Sequence, residues 1–195
     1  MYSNNSYNEG KKEPVDVSKK NSVFDTKDFY PIPPHAVERL LEVETFEGLT
    51  WECACGVCIS KVFERTGHKV FNTDIINREY DQCDKQIDFL NCNLLTSVNN
   101  IIINSPYKYA EEFIQRSKQF ATDKIAILLK TAHYENQCQY EGFQGSDFFL
   151  KAIYPFSQKV RFLRIHNNEH RSGTITYAWY VWERHYSGKA NMCIL

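Results

Sequence analysis

The sequence predicts an α/β domain with a mostly parallel, seven-stranded sheet, one antiparallel strand and helices on both faces, and three observations predict it. From Leu49 to Leu129, short apolar runs alternate with amphipathic stretches; strand-helix alternation of this kind threads a parallel sheet that is covered on both sides. The β-branched run Asn100–Ile103 reads as a buried strand and belongs at the centre of that sheet. The last third changes character: Thr174–Trp182 sets Ile175, Tyr177, Trp179 and Val181 on one face, and Arg171-Ser172-Gly173 supplies a turn just before it. That pattern predicts an antiparallel pairing of Thr174–Trp182 with Lys159–His166.

Taken in order, residues 1–22 are rich in Asn, Ser, Lys and Glu and have little to bury, so they read as a disordered tail ahead of a domain at 23–186. Phe24–Pro34 mixes aromatics with prolines, and Pro34 starts a short helix with Ala36, Val37, Leu40 and Leu41 at helical spacing. Leu49–Cys53 follows as a strand, Val57–Thr66 as a helix with Ile59, Val62 and Phe63 inward, and Lys69–Thr73 as a second strand after the turn at Gly67. A vaguer strand falls within Gln86–Phe89; then come Asn100–Ile103, a helix over Tyr109–Phe120 and a buried strand over Lys124–Leu129. His133–Pro155 is long, polar and aromatic, which predicts an excursion from the sheet. Residues 187–195 read as a C-terminal tail, and no internal repeat is present.

Composition bounds the function. At 195 residues and 43% hydrophobic, the chain holds enough apolar material for one core. A formal charge of -1 argues against attachment to nucleic acid by bulk charge, so any such contact must be local. The seven cysteines show no paired spacing, and the first twenty residues carry no apolar signal segment. Free thiols in the cytoplasm are the expectation. No stretch approaches the roughly 18 apolar residues of a membrane-spanning helix. Cys53-x-Cys55-x-x-Cys58 invites a metal site, but no second ligand group has the usual spacing, so no metal is expected.

Ligands of open α/β sheets sit beyond the carboxyl ends of the strands, where the strand order reverses. Three stretches fall there. Glu52-Cys53-Ala54-Cys55-Gly56-Val57-Cys58 spans the turn from the first strand to its helix, where small residues let a ligand approach the backbone. Asp74 ends the next strand, 18 residues after Gly56, near the spacing at which an acid reaches ribose hydroxyls. Asn104-Ser105-Pro106-Tyr107 follows the central strand. Read singly, a glycine in a βα turn and an Asp after a strand are each as often structural as functional.

In this order the motifs resemble the small phage and bacterial S-adenosylmethionine-dependent DNA adenine-N6 methyltransferases, over about Phe29 to Gly188. Phe29-Tyr30-Pro31-Ile32-Pro33-Pro34 resembles the F-Y-x-T-P-P opening, which implies that Tyr30, Pro31 and Pro33 lie against the cofactor. Glu52, Cys53, Ala54 and Gly56 fall in a segment similar to E-P-A-C-G-x-G, the cofactor loop. Asp74, with Ile75 beside it, matches the ribose-binding acid, and Asp88-Phe89 resembles the D-F pair beside the adenine ring. Asn104-Ser105-Pro106-Tyr107 resembles N-P-P-Y, and Ser172-Gly173 through Trp179 to Glu183 resembles the closing S-G-x-x-x-Y-A-W-x-V-W strand.

The resemblance implies a Rossmann-like methyltransferase fold, S-adenosyl-L-methionine as cofactor, and DNA as substrate with an adenine extruded into the pocket. It implies that the Asn104 side-chain oxygen and the Ser105 carbonyl accept hydrogen bonds from the amine, that Pro106 aims that carbonyl, and that Tyr107 stacks on the base. The excursion at His133–Pro155 is small for reading a target sequence, which leaves recognition loose or assigned to a partner subunit. Cys53 and Ser105 stand at two proline positions of the family pattern, and Cys58 at its second glycine. A cysteine there is expected to crowd the ligand or to require a positive φ that costs roughly 1 kcal/mol. That cost motivates a second reading, a decayed methyltransferase fold acting as a binding protein; RNA or protein amino groups are further substrates that motifs of this type serve. His133 and Tyr134 are candidates for the substrate pocket, though an ordinary loop position is as frequent for such a His, and Lys108, Lys130, Arg161, Arg164 and Arg171 are candidates for phosphate contacts, some of them expected to be only solvated surface.

Overall fold

The computed structural model describes residues 31–56, 58–76, 83–94, 96–135, 147–160 and 175–195. In chain order these form α1 (Pro34–Leu41), β1 (Leu49–Glu52), α2 (Cys58–Arg65), β2 (Lys69–Asp74), β3 (Lys85–Gln86), β4 (Val98–Ile103), α3 (Ala110–Phe120), β5 (Ala121–Lys130), β6 (Phe148–Pro155), β7 (Tyr177–Arg184) and β8 (Asn191–Met192). Single 3-10 turns cover Tyr107–Tyr109 and Thr131–Glu135.

Local chemistry explains several boundaries. Pro34 occupies the first helical turn of α1, where its missing N–H costs nothing, and Pro33 precedes it in extended conformation at φ -69° and ψ 142°. Helix α2 ends on Gly67 at φ 84°; the His68 N–H returns to the Phe63 carbonyl at 2.9 Å and closes the terminus. Gly48, at φ 76°, admits the Asn99 side chain against its backbone, where a Cβ would collide with it. Asn99 Oδ1 thereby accepts the Leu49 N–H at 3.0 Å and fixes the entry to β1.

The eight strands form one sheet in the order β3-β2-β1-β4-β5-β7-β6-β8. β3, β2, β1, β4 and β5 pair in parallel, and β7 runs antiparallel to both β5 and β6. β4 is central, as its unbroken β-branched run predicts: Ile101, Ile102 and Ile103 are fully buried. Odd and even positions feed two separate cores. Ile101, Ile103, Ile125 and Ile127 pack with Phe113 and Ile114 of α3, while Ile102, Ala126, Leu128 and Trp179 pack with α1 and α2. Helices therefore cover both faces. Trp179 and Trp182 point to opposite faces and both are core; the Trp179 indole N–H reaches the Ala36 carbonyl of α1 at 2.8 Å.

Three expectations are corrected. The sheet has eight strands rather than seven, because Asn191–Met192 in the expected C-terminal tail pairs parallel with Ala152 and Ile153. His133–Pro155 is not wholly an excursion: Phe148–Pro155 is β6, half-hidden in the sequence because its outward positions carry Phe149 and Lys151. β6 and β5, not Lys159–His166, are the antiparallel partners of β7. The 1–22 tail, the Arg171-Ser172-Gly173 turn and most of the Lys159–His166 stretch lie outside the described residues. No described helix is long and apolar enough to cross a membrane.

The pairing of β6 with β7 skips a residue between Leu150 and Ala152, so Lys151 is bulged. Its ammonium meets Glu44 Oε2 at 3.0 Å and Glu183 Oε2 at 2.9 Å. Lys124 also reaches Glu44 Oε2, at 2.8 Å, and the Tyr154 hydroxyl donates to Glu44 Oε1 at 2.8 Å. Burial works to raise the Glu44 pKa, but the hydrogen bonds from Lys124, Lys151 and Tyr154 outweigh it and hold the carboxyl below its usual 4.5. A folded-state value depressed in this way gives stability that is present above the unfolded value and lost as pH falls through the folded one. Glu44→Gln is therefore expected to cost about 3 kcal/mol in urea unfolding at neutral pH, and the gap between parent and variant is expected to shrink as the pH falls below about 4.

Candidate active site

β1 lies between β2 and β4, so the chain turns to one side after β1 and to the other after β3. This is the switch point at which open α/β sheets take ligands. Glu52 ends β1, Asp74 ends β2, and Asn104 directly follows β4. Glu52 is in register with Asn72 on one side and Ile102 on the other, which brings the loop leaving β1 level with the segment leaving β4.

Glu52 is fully buried and aimed at its own loop. Its carboxylate accepts the Gly56 N–H at 3.3 Å and the Ser60 N–H at 2.9 Å, and it contacts the Ser60 hydroxyl, which also contacts Asn72 Oδ1. A serine hydroxyl has one proton and cannot donate to both oxygens. The set is satisfied when Glu52 carries a proton and donates to Ser60 Oγ, or when the Asn72 amide is turned to donate instead. Burial pushes the Glu52 pKa up to about 7, assisted slightly by the Asp74 charge and opposed by the Ser60 and Gly56 hydrogen bonds.

The loop is fastened to β2 as well. The Cys55 N–H donates to the Thr73 carbonyl at 3.0 Å, and the Trp51 indole N–H donates to Thr73 Oγ1 at 2.8 Å. Cys53 and Cys55 are buried, Ala54 packs at the edge of the α3-side core, and burial holds the Cys53 thiol well above its usual range. The positive φ considered for Cys58 is absent. His185 is the only described non-glycine residue with positive φ, and the Cys58 side chain packs into the core formed with α1 and α2. The same burial, with the nearby Glu52 and Glu38 charges, pushes its thiol up to about 11.

Asp74 is buried at the end of β2, and its Oδ1 accepts the Ile76 N–H at 2.9 Å; the Ile75 carbonyl accepts from Gln86. Asp88 accepts the Leu90 N–H at 3.1 Å and the Asn91 side-chain amide at 2.6 Å, which shapes the turn that follows β3. Phe89, by contrast, is a core residue. It is 2% exposed and meets Trp51 edge-on at 5.1 Å and Phe113 in a stack at 5.4 Å, so its ring is turned into the α3-side core. Pro31 and Pro33 flank buried Ile32 just ahead of α1; Tyr30 lies outside the described residues.

Asn104 and Pro106 are half-buried and Ser105 is buried. Pro106 holds φ -57° and ψ 119°, and its carbonyl takes the Tyr109 N–H at 2.9 Å, so the chain turns at once into the 3-10 turn and α3. Among the described residues nothing bonds the Ser105 hydroxyl, although that atom is shielded from solvent. The half-buried Tyr107 ring lies 5.6 Å from Tyr177. His133, beyond β5, stands edge-on to Tyr180 at 5.6 Å; burial pushes its pKa down to about 4, which leaves the ring neutral near pH 7.

The structure thus gathers Glu52, Cys53, Ala54, Gly56, Asp74, Asn104, Ser105, Pro106 and Tyr107 at one switch point. It also adds residues that the sequence did not single out. Ser60 and Asn72 complete the Glu52 chain, and Arg116 of α3 donates to the Phe89 carbonyl at 3.3 Å and to the Cys92 carbonyl, clamping the turn that carries Asp88. Each acts through a long-range contact with no spacing rule behind it. An acid at the end of β2, small residues in the loop after β1 and an orphaned buried hydroxyl after β4 are a donor set that fits an adenosyl ligand with an amino-acid tail.

No protein-family model and no curated protein sequence matches the chain. Solved structures do. A Listeria monocytogenes protein assigned to the class I S-adenosylmethionine-dependent methyltransferases superposes with a TM-score of 0.61 at 11% identity, over 91% of this chain and 69% of that one. A Pyrococcus horikoshii protein assigned as an RNA methyltransferase gives 0.62 at 14% identity, over 84% and 91%. The 1,6-didemethyltoxoflavin-N1-methyltransferase of Burkholderia thailandensis, crystallised with S-adenosylhomocysteine, gives 0.54 at 8% identity, over 87% and 83%. The chain has the methyltransferase fold.

Two outcomes test the site's construction. Between pH 4.5 and about 7 the folded state holds a proton on Glu52 that the unfolded state has released, so its contribution to stability falls as pH rises through that window. Glu52→Gln should remove a swing on the order of 3 kcal/mol from stability measured across that range. Cys58→Gly relieves no strain, and in the first turn of α2 it is expected to lower stability by about 1 kcal/mol on chemical denaturation.

Proposed function

We propose that this chain transfers a methyl group from S-adenosyl-L-methionine to the N6 amino group of adenine in DNA. The observation that carries the reading is the placement of Asn104-Ser105-Pro106-Tyr107 directly after the central strand, level with the loop that Glu52 holds after β1. A side-chain amide oxygen and a proline-directed carbonyl meet a small-residue loop there.

When bound, S-adenosylmethionine supplies a methyl group made electrophilic by its sulfonium. Asp74 would hold the ribose hydroxyls, the Ala54–Gly56 backbone would border the amino-acid tail, and the turn at Asp88 would border the adenine. The remaining work falls to the chain's own groups. The exocyclic amine of adenine is a poor nucleophile because its lone pair is delocalised into the ring. Asn104 Oδ1 and the Ser105 carbonyl accept its two N–H groups and favour the pyramidal form, in which the lone pair is available. Pro106 fixes its own φ and restricts Ser105 before it to extended ψ, and with it the direction of the Ser105 carbonyl. Tyr107 offers a ring on which an extruded base stacks. Holding the amine in line with the transferred group supplies much of the rate.

The reading as a decayed binding protein rested on Cys58 and Ser105. Cys58, packed against the core with no left-handed backbone, removes the strain argument for that reading and so favours the catalytic one. The Pyrococcus neighbour's assignment to RNA is the reason to assay RNA alongside DNA.

Transfer of labelled methyl groups to unmethylated DNA, with RNA and protein in parallel, is the direct test; labelling confined to RNA or protein would overturn the DNA reading. In that assay Asn104→Ala should slow turnover by about 100-fold or more, while calorimetric affinity for S-adenosylmethionine barely changes. Tyr107→Ala should instead weaken binding of the extruded base by roughly 1–3 kcal/mol.

A further inference from the structure

Lys130 and Tyr177 are direct cross-strand partners at the outer end of the β5–β7 ladder, so their side chains leave the same face of the sheet. Both reach the Tyr107 ring. The Tyr177 centroid lies 5.6 Å from it with the planes 34° apart, and Lys130 Nζ lies over it, 5.3 Å from its centroid. Lys130 is exposed, one residue beyond the buried run that ends at Leu129, and its charge meets no requirement of the core. Thr131 ties this end of the ladder, its N–H and hydroxyl both donating to the Thr176 carbonyl at 2.9 Å.

An ammonium resting on a surface aromatic ring is held weakly. Phosphate oxygens are a stronger partner for it, and a four-carbon stem lets it move from one to the other. Tyr177 is anchored differently: it is half-buried at the edge of the core and placed by the ladder, so it holds its position whether or not a ligand is present.

We propose that the end of the β5–β7 ladder is the wall of the site on its nucleic-acid side, with Tyr177 as a positioning residue for Tyr107 and Lys130 as a phosphate contact. A base stacking on Tyr107 displaces the Lys130 ammonium, which moves to the phosphate beside the extruded nucleotide, while Tyr177 keeps the Tyr107 ring from turning away. This rests on the reading of Asn104–Tyr107 as a base-methylating site. It adds that the local positive contact required by a chain of net charge -1 is made next to the stacking ring.

The probe is a single-stranded DNA oligonucleotide carrying 2-aminopurine, with its RNA counterpart, titrated at several salt concentrations. Lys130→Gln should reduce the steepness of log affinity against log salt by about 0.7, the value for one phosphate of a single strand. Tyr177→Phe should retain the parent's 2-aminopurine quenching. Tyr177→Ala should lose most of it and raise KM for DNA by about tenfold, with kcat changed less. Lys130→Gln alters only an exposed side chain, and thermal melting at the parent's temperature verifies its fold. An unchanged salt slope in Lys130→Gln, or equal quenching in the alanine and phenylalanine variants, overturns the proposal, as does a parent protein that binds neither oligonucleotide. Calorimetry with S-adenosylmethionine separates the two readings. Cofactor binding with an unchanged slope removes only the wall, whereas a shifted slope without cofactor binding removes only the methyltransferase reading.

Discussion

The buried carboxyl group of Glu52 is the point on which the site's geometry depends. It stands at the last residue of β1, where no side chain can escape to solvent, and it takes hydrogen bonds from Gly56 and Ser60 across the loop to α2. A carboxyl group shielded in this way is costly to ionise, and burial accordingly raises its pKa to about 7. Through Ser60 it is linked to Asn72 on β2, whose backbone N–H in turn holds Asp84 at 2.8 Å ahead of β3. One side chain thus couples the loop after β1 to β2 and to the segment that enters β3. The conformation of the loop is set by this chain and by the Cys55–Thr73 bond, with no positive φ at Cys58.

The sheet protects that arrangement by burying both faces. Three consecutive isoleucines in β4 feed two cores, one under α3 and one under α1 and α2, so neither face can slide without breaking the other. At the opposite end of the strands, Glu44 gathers Lys124, Lys151 and Tyr154, and joins α1 to β5 and β6 through charge where apolar packing ends. The bulge at Lys151 is the means by which β6 turns its ammonium toward that carboxylate. The ion-pair cluster lies at this end, and the other end carries an orphaned buried hydroxyl at Ser105 and the exposed Lys130.

The chemistry proposed for the switch point needs no strong acid or base. Its groups are an amide oxygen, a backbone carbonyl and aromatic rings, and His133, beyond β5, is kept neutral by burial. Position, and not proton transfer, is what the architecture is built to supply. The segment proposed to react hangs from the fully buried central strand of the sheet.

Periodicity and turn chemistry in the sequence were enough to determine the alternating β and α elements, the central place of β4, the antiparallel β7 and the order in which Glu52, Asp74 and Asn104 meet at strand ends. These follow from local rules: apolar spacing, Gly67 and Pro34 at helix boundaries, and the fixed relation between strand order and crevice. Only the tertiary structure decided the rest. β6 was obscured because a strand near the edge of a sheet carries polar and bulged residues such as Lys151. Phe89 proved to be core because nothing local shows that Trp51, Phe113 and Phe120 converge on its ring. Cys58 needs no left-handed backbone because it packs against the core under α1 and α2, and Asn72 and Arg116 reach the loops of Glu52 and Asp88 through partners farther along the chain. Sequence spacing specifies which face of an element a residue occupies; the residue it meets there is specified only when the faces are packed together.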